Sequence, residues 1–168
     1  VRLFVNHGRM TKYEHLYMGT NFRMDTLQAA VLLAKLPHLD QWNQRRRLVA
    51  AAYREILTAE PFASMPIEIQ DAPEGVEPVY HLFVVRVPER EQVQSALKEA
   101  GVATGIHYPI PCHMQPSMND VSEGEGSLPV TERIAREVLS LPMCPTMTPD
   151  DAAEICERLL KVLRGIRT

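Results

Sequence analysis

The chain has 168 residues, 45% of them hydrophobic and 23% charged, with a formal net charge of -3. That length suits one domain or slightly more and is enough to bury a real core. The mildly acidic balance excludes a general nucleic-acid surface, which needs clustered positive charge.

In chain order, Val1-Arg2-Leu3-Phe4-Val5 carries neither an initiator methionine nor a signal peptide and reads as the interior of a longer protein. Residues 1–22 are mostly irregular. From Asp25 the pattern predicts a helix with Leu27, Ala30, Val31 and Ala34 on one face. Pro37 interrupts it, because proline lacks a backbone donor and clashes with the preceding turn. A second helix carries Leu39, Trp42, Val49, Tyr53 and Ile56; its Arg45-Arg46-Arg47 run reads as a solvated face. After a loop from Pro61 to Pro78, Tyr80–Val87 reads as a buried strand ended by Pro88. Glu89–Ala100 follows as a helix with Val93, Ala96 and Leu97 inward and Gly101 at its C-terminal cap. Val102–Ile106 is predicted as a second strand, and Tyr108–Ser127 as a long polar loop of the kind that is usually functional or mobile. A helix over Thr131–Leu139, a short extended piece over Ser140–Met143 and a last helix capped by Thr148 complete the chain. Ala152, Ile155, Cys156, Leu159 and Leu163 form the inner face of that last helix. The order indicates an α/β domain with a small sheet covered by helices. No apolar run approaches the length that spans a bilayer.

Two segments could carry chemistry. Gly19-Thr20-Asn21-Phe22-Arg23-Met24-Asp25 places a carboxamide and a guanidinium on the approach to a helix, and both present donors to an anion. Read locally, Asn21 caps that helix and Arg23 pairs with Asp25 or Glu14. The second segment, Gly105-Ile106-His107-Tyr108-Pro109-Ile110-Pro111-Cys112-His113, sets two histidines and a tyrosine in a proline-stiffened loop past a strand end. Its spacing matches no metal motif, so no metal site is expected. The three cysteines, Cys112, Cys144 and Cys156, are odd in number and contain no C-x-x-C pair, which fits a reducing, cytoplasmic setting.

Taken together these motifs carry a resemblance. Asn6-His7-Gly8, then Gly19-x-Asn21-x-Arg23-x-Asp25-x-x-Gln28-Ala29-Ala30, then Lys35-Leu36 and Arg45-Arg46, occur in register. His81-Leu82-Phe83, Gly101-Val102-x-Thr104-Gly105-x-His107-Tyr108-Pro109-x-Pro111-x-His113-x-Gln115-Pro116 and Leu139-Ser140-Leu141-Pro142-Met143 follow in the same order. The whole resembles the DegT/DnrJ/EryC1/StrS family of pyridoxal-phosphate-dependent sugar aminotransferases.

The resemblance implies an α/β fold: the C-terminal small domain of the type I (aspartate-aminotransferase-like) fold, its small sheet flanked by helices and preceded by a kinked linker helix. Residues 1–60 would be the end of the cofactor domain with the interdomain linker helices, and residues 61–168 the small domain. It implies a homodimer in which Asn21 reaches the partner's cofactor phosphate, supported by Arg23, while His107 and Tyr108 line the sugar-nucleotide site with His113 as a further candidate. The reaction would move an amino group, typically from glutamate, to a keto-sugar nucleotide. The family's Schiff-base lysine lies upstream of Asn6-His7-Gly8, and Lys12, Lys35, Lys98 and Lys161 all read as solvated charges. No catalytic residue is therefore expected in this chain, pyridoxal phosphate would be held mainly by the N-terminal domain, and the chain alone should not transaminate. Two alternatives stay open: a sugar dehydratase of the same family, and a non-catalytic sugar-nucleotide-binding module. Cys144 departs from the family pattern, with altered packing as the expected consequence.

Overall fold

The computed structural model describes residues 1–166, in two compact bodies: Val1–Asp40 and the chain from Gln41 onward. In the first, the opening residues are two crossing segments tied by backbone bonds. Thr20 N–H donates to Phe4 O (2.8 Å), His7 N–H to Thr20 O (2.9 Å) and Phe22 N–H to Val5 O (3.0 Å). Helix α1 (Thr26–Lys35) begins at Asp25, whose Oδ1 accepts from Leu27 N–H at 2.9 Å, satisfying one of the donors a helix start leaves open. None of its ten residues is buried. Pro37 lies in a 3₁₀ turn, Leu36–His38, that interrupts the α-helical bonding between α1 and α2 (Leu39–Thr58).

The second body holds the core. The α2 residues Val49, Tyr53 and Leu57 recur every four positions and are buried. They meet the middle strand of a three-stranded antiparallel sheet, ordered β1 (Glu68–Ile69), β2 (Phe83–Arg86), β3 (Val138–Leu141). Pairing sets Ile69 opposite Val85, Phe83 opposite Leu141 and Val85 opposite Leu139. Phe83 and Val85 therefore point to one side, where they pack with Val93 and Leu97 of α3 (Arg90–Glu99) and Ala152, Cys156, Leu159 and Leu163 of α5 (Pro149–Ile166). The Tyr53 and Phe83 rings stack at 4.8 Å. Tyr53 donates its hydroxyl to Pro142 O (2.9 Å), and burial pushes its phenol up. Burial likewise raises the Cys156 thiol to about 12, which keeps it an inert apolar filler. Thr148 and Asp151 cap α5 reciprocally: Thr148 N–H donates to Asp151 Oδ2 (2.7 Å) and Asp151 N–H to Thr148 Oγ1 (3.3 Å).

Four sequence expectations change. The loop of residues 61–78 contains β1, a two-residue strand that pairs with β2 while Arg86 bridges Glu68 (2.5 Å) and Glu137. The strand expected from Tyr80 starts only at Phe83, because Tyr80 turns to φ +50°, outside extended backbone. Val102–Ile106 is no strand; a single bridge, Gly105 to Ser140, survives there. Helix α4 (Pro129–Glu137) starts and stops two residues early, since Val138 and Leu139 are drawn into the sheet opposite Arg86 and Val85. For β1 and the end of α4, tertiary pairing overrides local preference.

The unequal burial predicts unequal sensitivity. Leu159→Ala, in the packed core, should cost about 2–5 kcal/mol in urea unfolding. Leu27→Ala, on the exposed face of α1, should stay within about 0.5 kcal/mol.

Candidate functional site

In the first body the candidate residues are placed by backbone contact. Asn6 and Asn21 face each other in an isolated bridge. The crossing around them is too close for side chains: a Cβ on Gly8 would sit 1.8 Å from Tyr17 O, and one on Gly19 would sit 2.2 Å from Gly8 N. Arg23 Nη2 donates to Asn6 Oδ1 at 2.9 Å, so the guanidinium is anchored at one corner. Its remaining donors, and the exposed Asn21 carboxamide, have no hydrogen-bond partner among the described residues. Neither local alternative holds: Asp25, not Asn21, caps α1, and Arg23 pairs with Asn6 rather than Asp25 or Glu14.

In the second body His107 and Tyr108 are exposed and adjacent, their rings edge-to-face at 5.5 Å. His107 Nδ1 shares a 2.8 Å hydrogen bond with Ser140 Oγ on β3. Beneath the ring, Gly105 exchanges both backbone bonds with Ser140 (3.1 and 2.8 Å). His113 faces differently. It is only 9% exposed, and its Nε2 meets Glu132 Oε1 of α4 at 3.0 Å. The same oxygen accepts from Gly126 N–H (2.8 Å) and Leu128 N–H (3.3 Å), while Ser122 Oγ donates to His113 O (2.7 Å). His113 thus ties residues 113–128 to α4 rather than lining a surface with His107 and Tyr108. Sequence reasoning missed Glu132 and Ser140 as partners. They stand 19 and 33 residues from the histidines they hold, and no local pattern links them.

The remaining reactive groups are placed more simply. Lys12 Nζ lies 5.2 Å from the Tyr13 ring centre, and Lys35, Lys98 and Lys161 are exposed on helices. Cys144 is half-buried; its Sγ lies 3.0 Å from Thr146 Oγ1, and this contact foremost draws its thiol below the ordinary value. No group of three or more His, Cys, Asp or Glu side chains able to hold a metal occurs among the described residues. No helix among them is long and apolar enough to cross a membrane.

Fold and motifs together define an α/β chain with a small antiparallel sheet covered by helices. The chain superposes on the crystal structure of Streptomyces venezuelae DesV with a TM-score of 0.86 and 39% identity, covering 95% of this chain and 42% of that one. NtdA from Bacillus subtilis, solved with its cofactor PMP bound, matches with a TM-score of 0.81 and 32% identity over 96% of this chain and 38% of its own. The chain belongs to the DegT/DnrJ/EryC1/StrS aminotransferase family, whose model matches residues 1–160. Among curated relatives, the dTDP-3-amino-3,6-dideoxy-alpha-D-galactopyranose transaminase of Aneurinibacillus thermoaerophilus is 44% identical over 152 residues. That match covers 90% of this chain and 40% of the relative. The chain spans about 40% of the length of the curated relatives it matches.

The His113–Glu132 clasp has a pH signature. The hydrogen bond to His113 foremost, then the Gly126 and Leu128 amides, hold the Glu132 carboxyl below its ordinary value. A carboxyl lowered on folding gives stability that is complete above the unfolded value, about 4.3, and lost as pH falls through the folded one. Amide resonances of residues 113–128 should therefore move together in an acid NMR titration with a midpoint below about 4.3. Glu132→Gln should abolish that concerted step.

Proposed function

We propose that this chain is the C-terminal part of a pyridoxal-phosphate-dependent aminotransferase that aminates a keto-sugar nucleotide, in the biosynthesis of a cell-surface polysaccharide or a secondary-metabolite sugar. The observation that carries the reading is in the first body. An unpartnered carboxamide and a one-corner-anchored guanidinium stand at the head of a helix with no buried residue. Leu27, Val31, Leu32 and Leu33 of that helix are all exposed, more apolar surface than a free-standing element presents to water. Such a body is built to be completed by other polypeptide. We assign that role to the cofactor domain and to a second copy of the chain, in a cytoplasmic homodimer. The three unpaired cysteines suit that compartment. In the same reading residues 1–60 close the cofactor domain and link it to a small domain of residues 61–168, with the far half of α2 packed into the small domain's core.

The residues present fit one end of pyridoxal phosphate. Asn21 and Arg23 offer neutral and charged N–H donors that match a phosphate dianion, and the backbone crossing beneath them restricts their movement. The chain's four lysines offer no matching attachment point, so the cofactor's ring would be held by residues outside it. When bound, the cofactor supplies the electron sink for moving an amino group. This chain's residues do the binding and orienting: Asn21 and Arg23 clamp the phosphate of the partner's cofactor, while His107 and Tyr108 present a polar ring edge and a phenol to the sugar nucleotide. His113 serves that pocket through the loop it ties down. The amino donor, typically glutamate, would use the same completed site. The Aneurinibacillus thermoaerophilus relative, a transaminase, supports amination over dehydration.

Two measurements test the reading. Borohydride reduction of the isolated chain after incubation with pyridoxal phosphate should label none of Lys12, Lys35, Lys98 or Lys161 stoichiometrically; stable fixation on one would refute it. In the dimer that includes the cofactor domain, Arg23→Ala should weaken pyridoxal phosphate binding about tenfold or more, the scale of a charge-assisted contact. An unchanged affinity would remove Arg23 from the clamp.

A further inference from the structure

Ser140 is buried on β3 at 4% exposure, yet it carries a hydroxyl with both a proton and lone pairs to satisfy. Among the described residues its hydroxyl has one hydrogen-bond partner, His107 Nδ1, at 2.8 Å. A neutral imidazole has one N–H, and either nitrogen can bear it. If Nδ1 bore it, His107 would donate to Ser140 Oγ and leave the serine proton buried without an acceptor, a costly arrangement. If Nε2 bears it, the serine donates to Nδ1 and its buried proton is matched.

The ring is also held from below. A Cβ on Gly105 would come within 2.8 Å of His107 Cε1, so the imidazole lies directly on that backbone. Gly105 is itself fixed by two backbone bonds to the same Ser140. One strand residue therefore sets both the floor under the ring and the atom that reads its proton state.

We propose that Ser140 is a positioning residue: its hydroxyl donates to His107 Nδ1 and holds the ring in the Nε2–H form, making His107 a hydrogen-bond donor to an acceptor oxygen of the sugar nucleotide. Gly105 is the small residue that this seating requires. The proposal rests on the assignment of His107 to the sugar-nucleotide pocket. It adds the direction of the bond His107 can make and the residue that enforces it.

Two-bond ¹⁵N–¹H correlation spectra at a pH where the ring is neutral read the tautomer directly. In the wild-type chain His107 should show the Nε2–H pattern alone. Ser140→Ala should admit the Nδ1–H form, and Gly105→Ala, which keeps the hydroxyl but displaces the ring, should do the same. An Nδ1–H ring in the wild type, or a tautomer unmoved by both variants, overturns the proposal. Kinetics of the enzyme that includes the cofactor domain separates the two layers. Ser140→Ala should raise KM for the sugar nucleotide roughly two- to tenfold, the scale of one neutral hydrogen bond, with kcat and the amino-donor KM little changed. A tautomer that responds while KM does not would leave Ser140's hold on the ring intact and overturn the placement of His107 against the sugar.

Discussion

The second body depends on one constraint, the register of β2 against β3. Phe83 and Val85 must both face the helices to make a core, and their partners Leu141 and Leu139 must face the same way. Side chains alternate along a strand, so the residue between those leucines, Ser140, points to the opposite side of the sheet. There it meets the turn at Gly105 and the ring of His107. A slip of one residue would take the leucines out of the core and set the serine among its apolar side chains, so the hydrophobic pattern forbids it. The packing that stabilises the sheet is thereby the same fact that fixes a polar hand-hold beneath the His107 ring.

The first body is organised on another principle. It has no side-chain core; its only fully enclosed residue is Gly8, in the crossing where backbone touches backbone. Two glycines remove the Cβ atoms that would force the segments apart, and main-chain hydrogen bonds then align Asn6 with Asn21 and bring Arg23 onto Asn6. Such a framework can place donors without burying apolar surface. It contributes little stability of its own, because most of what stabilises small domains comes from area removed from water. The apolar side chains of α1 remain available for whatever completes the body.

How much of this was legible in the sequence follows from what kind of interaction holds each part. Elements set by local chemistry were readable: the break at Pro37, the Thr148 cap, and the inward placement of Val49 and Tyr53, although the next core position of α2 is Leu57, with Ile56 only partly buried beside it. Elements set by distant pairing were not. Strand β1 exists because β2 lies beside it, and Val102–Ile106 fails as a strand because only Gly105 finds a partner. The candidate residues divide in the same way. Motif spacing in register singled out Asn21, Arg23, His107, Tyr108 and His113, but their surroundings came from Asn6, Ser140 and Glu132, which lie 17 to 33 positions away.

The two histidines of the loop show why type and spacing alone cannot assign a role. His107 and His113 share one proline-stiffened segment and look equivalent in sequence. In the structure one lies open on a glycine floor with a hydroxyl at its back. The other is enclosed against a carboxylate that also gathers two backbone amides. A buried imidazole facing a carboxylate is committed to that partner, since separating them would strand a charge and two N–H groups away from water. An exposed imidazole with only its inner nitrogen engaged keeps the outer one for a ligand. Burial and partner, not residue type, leave the first histidine open and make the second a clasp, and the clasp holds the later part of the loop that His107 and Tyr108 begin.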